Sequence, residues 1–306
     1  MTRRTTIGSP PDSFSPLASY QQAMGKMRFI LPALMLITVG LSLWGRSWDR
    51  QFFLWINTGI PRALPDSLLP VWEISMNTLT YLGNTHVMLW LILLVNLPWW
   101  MSVGRKIPGR LSLYLVVLSI VLVLATVASH SIKEIVGALR PAGVLPAESL
   151  HILGQTLHSR SFPSGHTVTA FAGMCILLPI IPVSWQWGAL TLAAGIGLSR
   201  IGVGAHWPID IAAGAFLGIV AGMMGWRIAF WLQQKRLAEK SFLEKIYQGL
   251  AILGGLVMAT NVAYAPFYCL EHHSIQLGLI GLCLTLALIF GYYQREMWLG
   301  AIFRCK

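Results

Sequence analysis

Eight stretches of this chain carry no formally charged side chain: residues 29–45, 85–104, 111–131, 167–181, 187–199, 211–226, 248–270 and 276–293. A hydrocarbon layer of ~30 Å takes about 20 apolar residues to cross as a helix. Inside lipid only structures that satisfy their own backbone survive, which leaves helices for runs of this kind. The runs beginning at 167, 187 and 211 are the short ones, and all three abut polar motifs. With 11% charged and 55% hydrophobic residues and a mean hydropathy of +0.64, against about 25% charged in soluble domains, the composition agrees. The expectation is an all-α, polytopic transmembrane bundle of about eight spans.

The net charge of +11 invites a nucleic-acid partner until its distribution is followed. With the N-terminus inside and eight spans threaded, fifteen of the 22 basic residues but only four of the 11 acidic ones fall on one side, so that side carries the whole excess. The positive-inside rule accounts for this as topology, and no nucleic-acid partner is expected. Both termini are placed in the cytoplasm, with the chain in a cell inner (plasma) membrane. Cys175, Cys269, Cys283 and Cys305 have no short regular spacing, which supports neither a disulfide framework nor a metal knuckle. Residues 1–26 read as a disordered tail, and the first apolar run as an uncleaved anchor.

On this topology residues 130–166 and 199–210 emerge together on the outer side, so their polar groups can share a site. KEIVGALRP holds Lys133 and Arg140 seven residues apart, two helical turns or ~10.5 Å along one face, with Pro141 expected to end the helix. The pair reads either as cations snorkelling at the interface or as ligands for an anion. SFPSGHT leads a proline, a cap-type serine and a glycine into an apolar helix. Ser164 and Gly165 then offer free backbone N–H groups and the positive end of a helix dipole as an anion seat, or His166 is a bystander beside an ordinary cap. In SRIGVGAHWPID, Arg200 precedes His206 and Asp210, four residues apart, where a carboxylate can accept Nδ1–H and leave Nε2 bare. A structural His–Asp pair is the plainer reading, but ionisable groups at a membrane are costly and are functional by default. Cations, an anion seat and two histidines form an inventory for phosphoryl transfer. An imidazole is a competent nucleophile, and a second histidine can protonate a departing alkoxide.

KEIVGALRP, PSGH and SRIGVGAHWPID resemble, in order and without a departure, the three signature motifs of the type 2 phosphatidic acid phosphatase (PAP2) superfamily. The resemblance covers residues 133–210, about a quarter of the chain. It implies a metal-independent lipid phosphatase without cofactor, in which His206 attacks phosphorus, Asp210 orients it, and His166 protonates the leaving group and then activates water. Lys133, Arg140, Ser164, Gly165 and Arg200 would hold the phosphoryl oxygens. It also implies a six-helix core, so the last two spans are an addition.

The expected organisation is a cytoplasmic tail over 1–26, a PAP2-like membrane domain over 27–230, a basic linker over 231–247 and an additional hairpin with a short tail over 248–306. The expected partners are the bilayer and a lipid phosphate reached from the periplasm, with polyprenyl diphosphate, phosphatidylglycerophosphate and the 1-phosphate of lipid A as candidates. Phosphotransfer to a lipid acceptor, or a transporter or scaffold, would share much of this sequence. The remaining histidines, His86, His130, His151, His158, His272 and His273, show no three-ligand spacing for zinc. His130, three residues before Lys133, is the best placed to assist the site. Residues 142–162 are expected to form either a rim over the site or a plain surface loop, and 51–84 to lie in the outer interface. The sequence leaves the headgroup, the oligomeric state and the role of the last two helices open.

Overall fold

The structure, a computed structural model, describes residues 30–38, 46–93, 108–238 and 242–271, with Gln21, Gly25 and Gly40. The tail before Gln21, the second half of the run over 85–104, His272, His273 and the final run over 276–293 lie outside the described residues. The described residues contain helices and no strand. They are α1 (30–38), α2 (Arg46–Leu54), a π-helical turn over Trp55–Gly59 leading into α3 (Ile60–Ala63), α4 (Leu69–Leu82) and α5 (85–93). Beyond these come α6 (Pro108–Val136), α7 (Gly165–Leu177), α8 (Val183–Gly202), α9 (Pro208–Ala238) and α10 (Phe242–Glu271). Most of the basic stretch 231–247 belongs to the ends of α9 and α10. Among the described helices α6, α9 and α10 are long and apolar enough to cross a bilayer, and α7 is a shorter apolar helix. The fold is an all-α bundle of membrane-spanning helices.

Apolar side chains point both inward and outward, as lipid permits. On α6, Val116, Val117 and Val121 are buried while Val123 and Val127 are exposed. What binds helix to helix is close packing and hydrogen bonds, since lipid tails are as apolar as leucine. A tight seam lies between α7 and α9. A Cβ at Gly218 would stand 2.6 Å from the Val168 carbonyl oxygen, and one at Gly222 only 2.3 Å from Cys175 Cβ, so the two backbones approach as only glycine allows. Further along, Trp226, fully buried, donates Nε1–H to the Cys175 carbonyl at 3.0 Å and meets Tyr114 of α6 edge-on.

Polar ties fix the remaining elements. Asn57, in the π-helical turn, donates to the carbonyls of His151 (2.7 Å), Ile201 (3.2 Å) and Gly202 (3.0 Å), and accepts His151 N–H at 2.9 Å. Asp49 of α2 accepts the N–H of Ile209 at 2.9 Å, satisfying one of the free donors in the first turn of α9. The aromatic stretch expected at the interface is therefore bound directly to the end of α8 and to the loop that holds His151. α10 packs on α6 through Ser119, whose hydroxyl donates to the Leu250 carbonyl at 2.7 Å. It also reaches α5: Asn261 donates to the His86 carbonyl at 3.1 Å and accepts from His86 Nδ1 at 2.7 Å.

Candidate active site

The segment from Lys133 to Arg140 departs from the expectation. The helix stops at Val136, before Pro141, because Gly137 turns into the left-handed region at φ 56° and returns its N–H to the Lys133 carbonyl at 3.0 Å. Arg140 follows in extended conformation, so the two cations do not share a helical face. Tertiary folding unites them nonetheless: Lys133, Arg140, Gly165, His166, Arg200 and His206 all line one cavity of about 460 Å³.

His206 sits in the loop before α9, so its four-residue spacing to Asp210 spans a loop and a first helical turn. The contact forms all the same, with Nδ1 3.2 Å from Asp210 Oδ2. Carboxylates only accept, so Nδ1 carries the proton. Nε2 is not bare: Arg140 Nη1 donates to it at 3.0 Å and to the Ala205 carbonyl at 2.9 Å. Burial first, then the positive charges of Arg140, Arg200 and Lys133, hold the pKa of His206 well below the ordinary histidine value. The resting ring is neutral, with its lone pair turned toward a guanidinium. Asp210 Oδ2 also accepts the Trp207 N–H at 2.9 Å and the hydroxyl of Ser161. Ser161 is fully buried and was invisible as a site residue in the sequence, although it opens SFPSGHT.

The cations rest on backbone carbonyls. Lys133 Nζ donates to Arg160 O at 3.0 Å, and Arg140 Nε to Ser159 O at 2.8 Å. Arg160 takes a left-handed φ of 56°, uncommon outside glycine. The rim loop over 142–162 is thus folded onto the site, and its Leu157 lines the cavity. Arg200 makes no side-chain hydrogen bond among the described residues, and its Nε is buried without a partner. None of the three cations has a carboxylate within ion-pair distance among the described residues.

Gly165 opens α7 beside the cavity, and a Cβ there would meet nothing within 4 Å. Ser164, the residue before the helix, is fully buried; its hydroxyl accepts from Thr167 at 2.9 Å and its N–H donates to the Asp210 carbonyl at 3.0 Å. Neither Ser164 nor Asp210 lines the cavity; both stand behind residues that do. His130 and His86 line it as well. Among the described residues no group of three or more histidine, cysteine or acidic side chains is placed to hold a metal ion.

The same span of chain is what known proteins share. The PAP2 superfamily model matches residues 113–236. The chain is 32% identical over 169 residues to the bacitracin transport permease protein BcrC of Bacillus licheniformis, covering 53% of this chain and 75% of that one. It is 33% identical over 104 residues to the undecaprenyl-diphosphatase of Sulfolobus acidocaldarius, covering 34% and 49% of the two chains. A lipid A 1-phosphatase of Porphyromonas gingivalis matches at 36% over 74 residues, 23% and 17% of the two. A family match that contains every motif residue from Lys133 to Asp210, together with similarity over three quarters of a relative, makes this chain a member of the PAP2 superfamily.

Proposed function

We propose that the chain is an integral membrane lipid phosphate phosphatase that works through a phosphohistidine on His206. The observation that carries this reading is the trio of cations, Lys133, Arg140 and Arg200, around one cavity with no carboxylate partner among the described residues. Buried charges are ordinarily paired, and a phosphoryl group, which guanidinium groups grip bidentately, would complete this set.

Substrate arrival gives Arg140 Nη1 phosphoryl oxygens to bind and frees His206 Nε2. Nε2 then attacks phosphorus, the bond from phosphorus to the leaving oxygen breaks, and its electron pair departs on that oxygen, which His166 protonates. Asp210, accepting Nδ1–H, offsets the positive charge that the ring acquires. In the second half His166 takes a proton from water, the oxygen attacks phosphorus, the P–N bond breaks, and His206 returns to neutral as phosphate leaves. Lys133, Arg200 and the N–H groups opening α7 at Gly165 hold the oxygens, while Ser164 and Ser161 fasten α7 and Asp210 behind them. These fixed charges supply what a metal would, so the reaction is read as metal-independent.

The relatives named as phosphatases act on lipids, and the deeper half of this cavity is apolar, which favours polyprenyl diphosphates or lipid A-type phosphates as substrates. Arg227 and Lys235 stand toward the end of α9 opposite Asp210. This supports an inner membrane orientation with the site facing the periplasm. The PAP2-like unit is read as 27–230, with α10 opening the additional C-terminal hairpin. Phosphate release by purified protein across a panel of lipid phosphates tests the whole proposal. Release that survives exhaustive chelation and is blocked by vanadate is the expected result. A phosphorylated lipid acceptor in place of free phosphate would make the chain a phosphotransferase, and no turnover would favour the transport role in the name of BcrC.

A further inference from the structure

The cavity changes character along its length, and three of the helices that wall it, α5, α6 and α7, change in the same direction. On α6 the lining residues form one stripe at three- and four-residue steps. Leu118, Val121, Leu122 and Ala125 are apolar, whereas Thr126, Ser129, His130 and Lys133 are polar. α5 presents His86 and then Met88, Leu89 and Ile92; α7 presents His166 and Thr169, then Ala172 and Ile176. From Lys133 down to Thr126 is ~10.5 Å of helix, whereas a single phosphoryl group held by Lys133, Arg140, Arg200 and His206 occupies only the uppermost turn. About one further turn of hydrogen-bonding surface then separates the phosphoryl cage from the apolar floor. A lipid whose hydrocarbon began at the ester oxygen would press methylenes against that surface and strip its polar groups of water without replacing it.

On the reading of a lipid phosphate phosphatase, we infer that His130, Thr85 and Thr169 form a second subsite. It takes a phosphate placed between the attacked phosphorus and the hydrocarbon, as in a lipid diphosphate. His130 donates Nδ1–H to the Thr126 carbonyl at 3.0 Å, which turns Nε2 away from the helix backbone. The Thr85 and Thr169 hydroxyls face each other at 3.4 Å across α5 and α7. No described residue lining the cavity is acidic, which suits an anion better than a sugar whose hydroxyls need acceptors as well as donors. The subsite lies on the His166 side of the cage, where the leaving group must go. In the first step the bond from the terminal phosphorus to the bridging oxygen breaks. The lipid monophosphate departs with that electron pair, stabilised where it already sits.

The test compares two lipids of one chain length, a diphosphate and a monophosphate, in mixed micelles with wild type, His130→Ala and Thr169→Val. Expected is wild-type preference for the diphosphate, and a fall of about tenfold or more in the diphosphate-to-monophosphate ratio of kcat/KM in His130→Ala, with a smaller fall in Thr169→Val. The ratio is insensitive to how much of each variant is folded. A ratio unchanged in both variants, or wild type favouring the monophosphate, overturns the subsite while leaving the phosphatase reading intact. Failure of wild type to release phosphate from either lipid overturns that reading itself.

Discussion

Replacing Arg200 with methionine is expected to move stability and activity in opposite directions. Arg200 is 7% exposed and its Nε has no partner among the described residues. A buried unsatisfied donor costs about 1–3 kcal/mol, toward the upper end for a charged group. Against this, the last turn of α8 favours a cation by about 0.3–1 kcal/mol. Methionine removes both terms and refills part of the volume, so the anion-free variant should gain about 1–2 kcal/mol. At ~2–4 °C per kcal/mol for a chain of this size, that is a rise of about 2–8 °C in Tm. Catalysis should suffer. Two charge-assisted hydrogen bonds to the transferring phosphoryl group, at about 1.5–3 kcal/mol each, amount to about 10²–10⁴-fold in kcat/KM. Thermal unfolding in detergent, with and without orthovanadate, and phosphate release read the two effects separately. Vanadate should raise the wild-type Tm and leave the variant nearly unmoved. A variant that melts below wild type without anion, or hydrolyses within tenfold of it, would refute the reasoning.

Other outcomes follow from the same geometry. His206→Ala should abolish turnover, and His166→Ala should slow it more for a lipid monophosphate than for a diphosphate, because an alkoxide needs a proton more than a departing phosphate does; full activity in His206→Ala would discard the nucleophile. Because the His206 pKa is lowered, the nucleophile stays unprotonated as pH falls through the ordinary histidine range. The acid limb of kcat/KM assigned to it, by loss in a phosphoenzyme burst, should therefore lie below pH ~6.5; a limb above that value would contradict the burial argument. On a cysteine-free background, Ser159→Cys should react with an impermeant thiol reagent from outside, and Gln234→Cys only after permeabilisation; the reverse pattern inverts the topology. Gly218→Leu should force α7 and α9 apart at Val168 and lower both yield and Tm by a large-to-overpacked core effect of about 1–3 kcal/mol or more; an unchanged Tm would mean that the seam is looser than described.

The chemistry of the site was legible in the sequence because cations, histidines and an aspartate stand out against 55% hydrophobic residues. Topology alone placed their segments on one side. Which faces of the helices touch was not legible: α6 and α9 are apolar all round, since lipid and protein ask for the same side chains. Nor was the break at Gly137, where one glycine replaced the expected shared helical face of Lys133 and Arg140 with a fold-back. Ser161 and Asn57 look like ordinary polar residues, and the partners that give them meaning lie far along the chain: Asn57 reaches Ile201 across 144 positions. His86 and Asn261 meet across 175 positions, with no periodic pattern to announce it.

The seam between α7 and α9 bears on how the machine moves. His166 rides on the first turn of α7, and His206 is held by Asp210 in the first turn of α9. Helices whose backbones touch at Gly218 and Gly222 cannot slide or part without opening a void along the whole interface. The two histidines therefore belong to one rigid block, and the distance between them is set during folding, before any substrate arrives. α6 is tied to the same block, since a Cβ at Gly225 of α9 would stand 2.3 Å from Val121 Cγ2 and Trp226 meets Tyr114 edge-on. The reacting pair is thus already aligned, by the packing of the helices that carry it, when it meets a substrate.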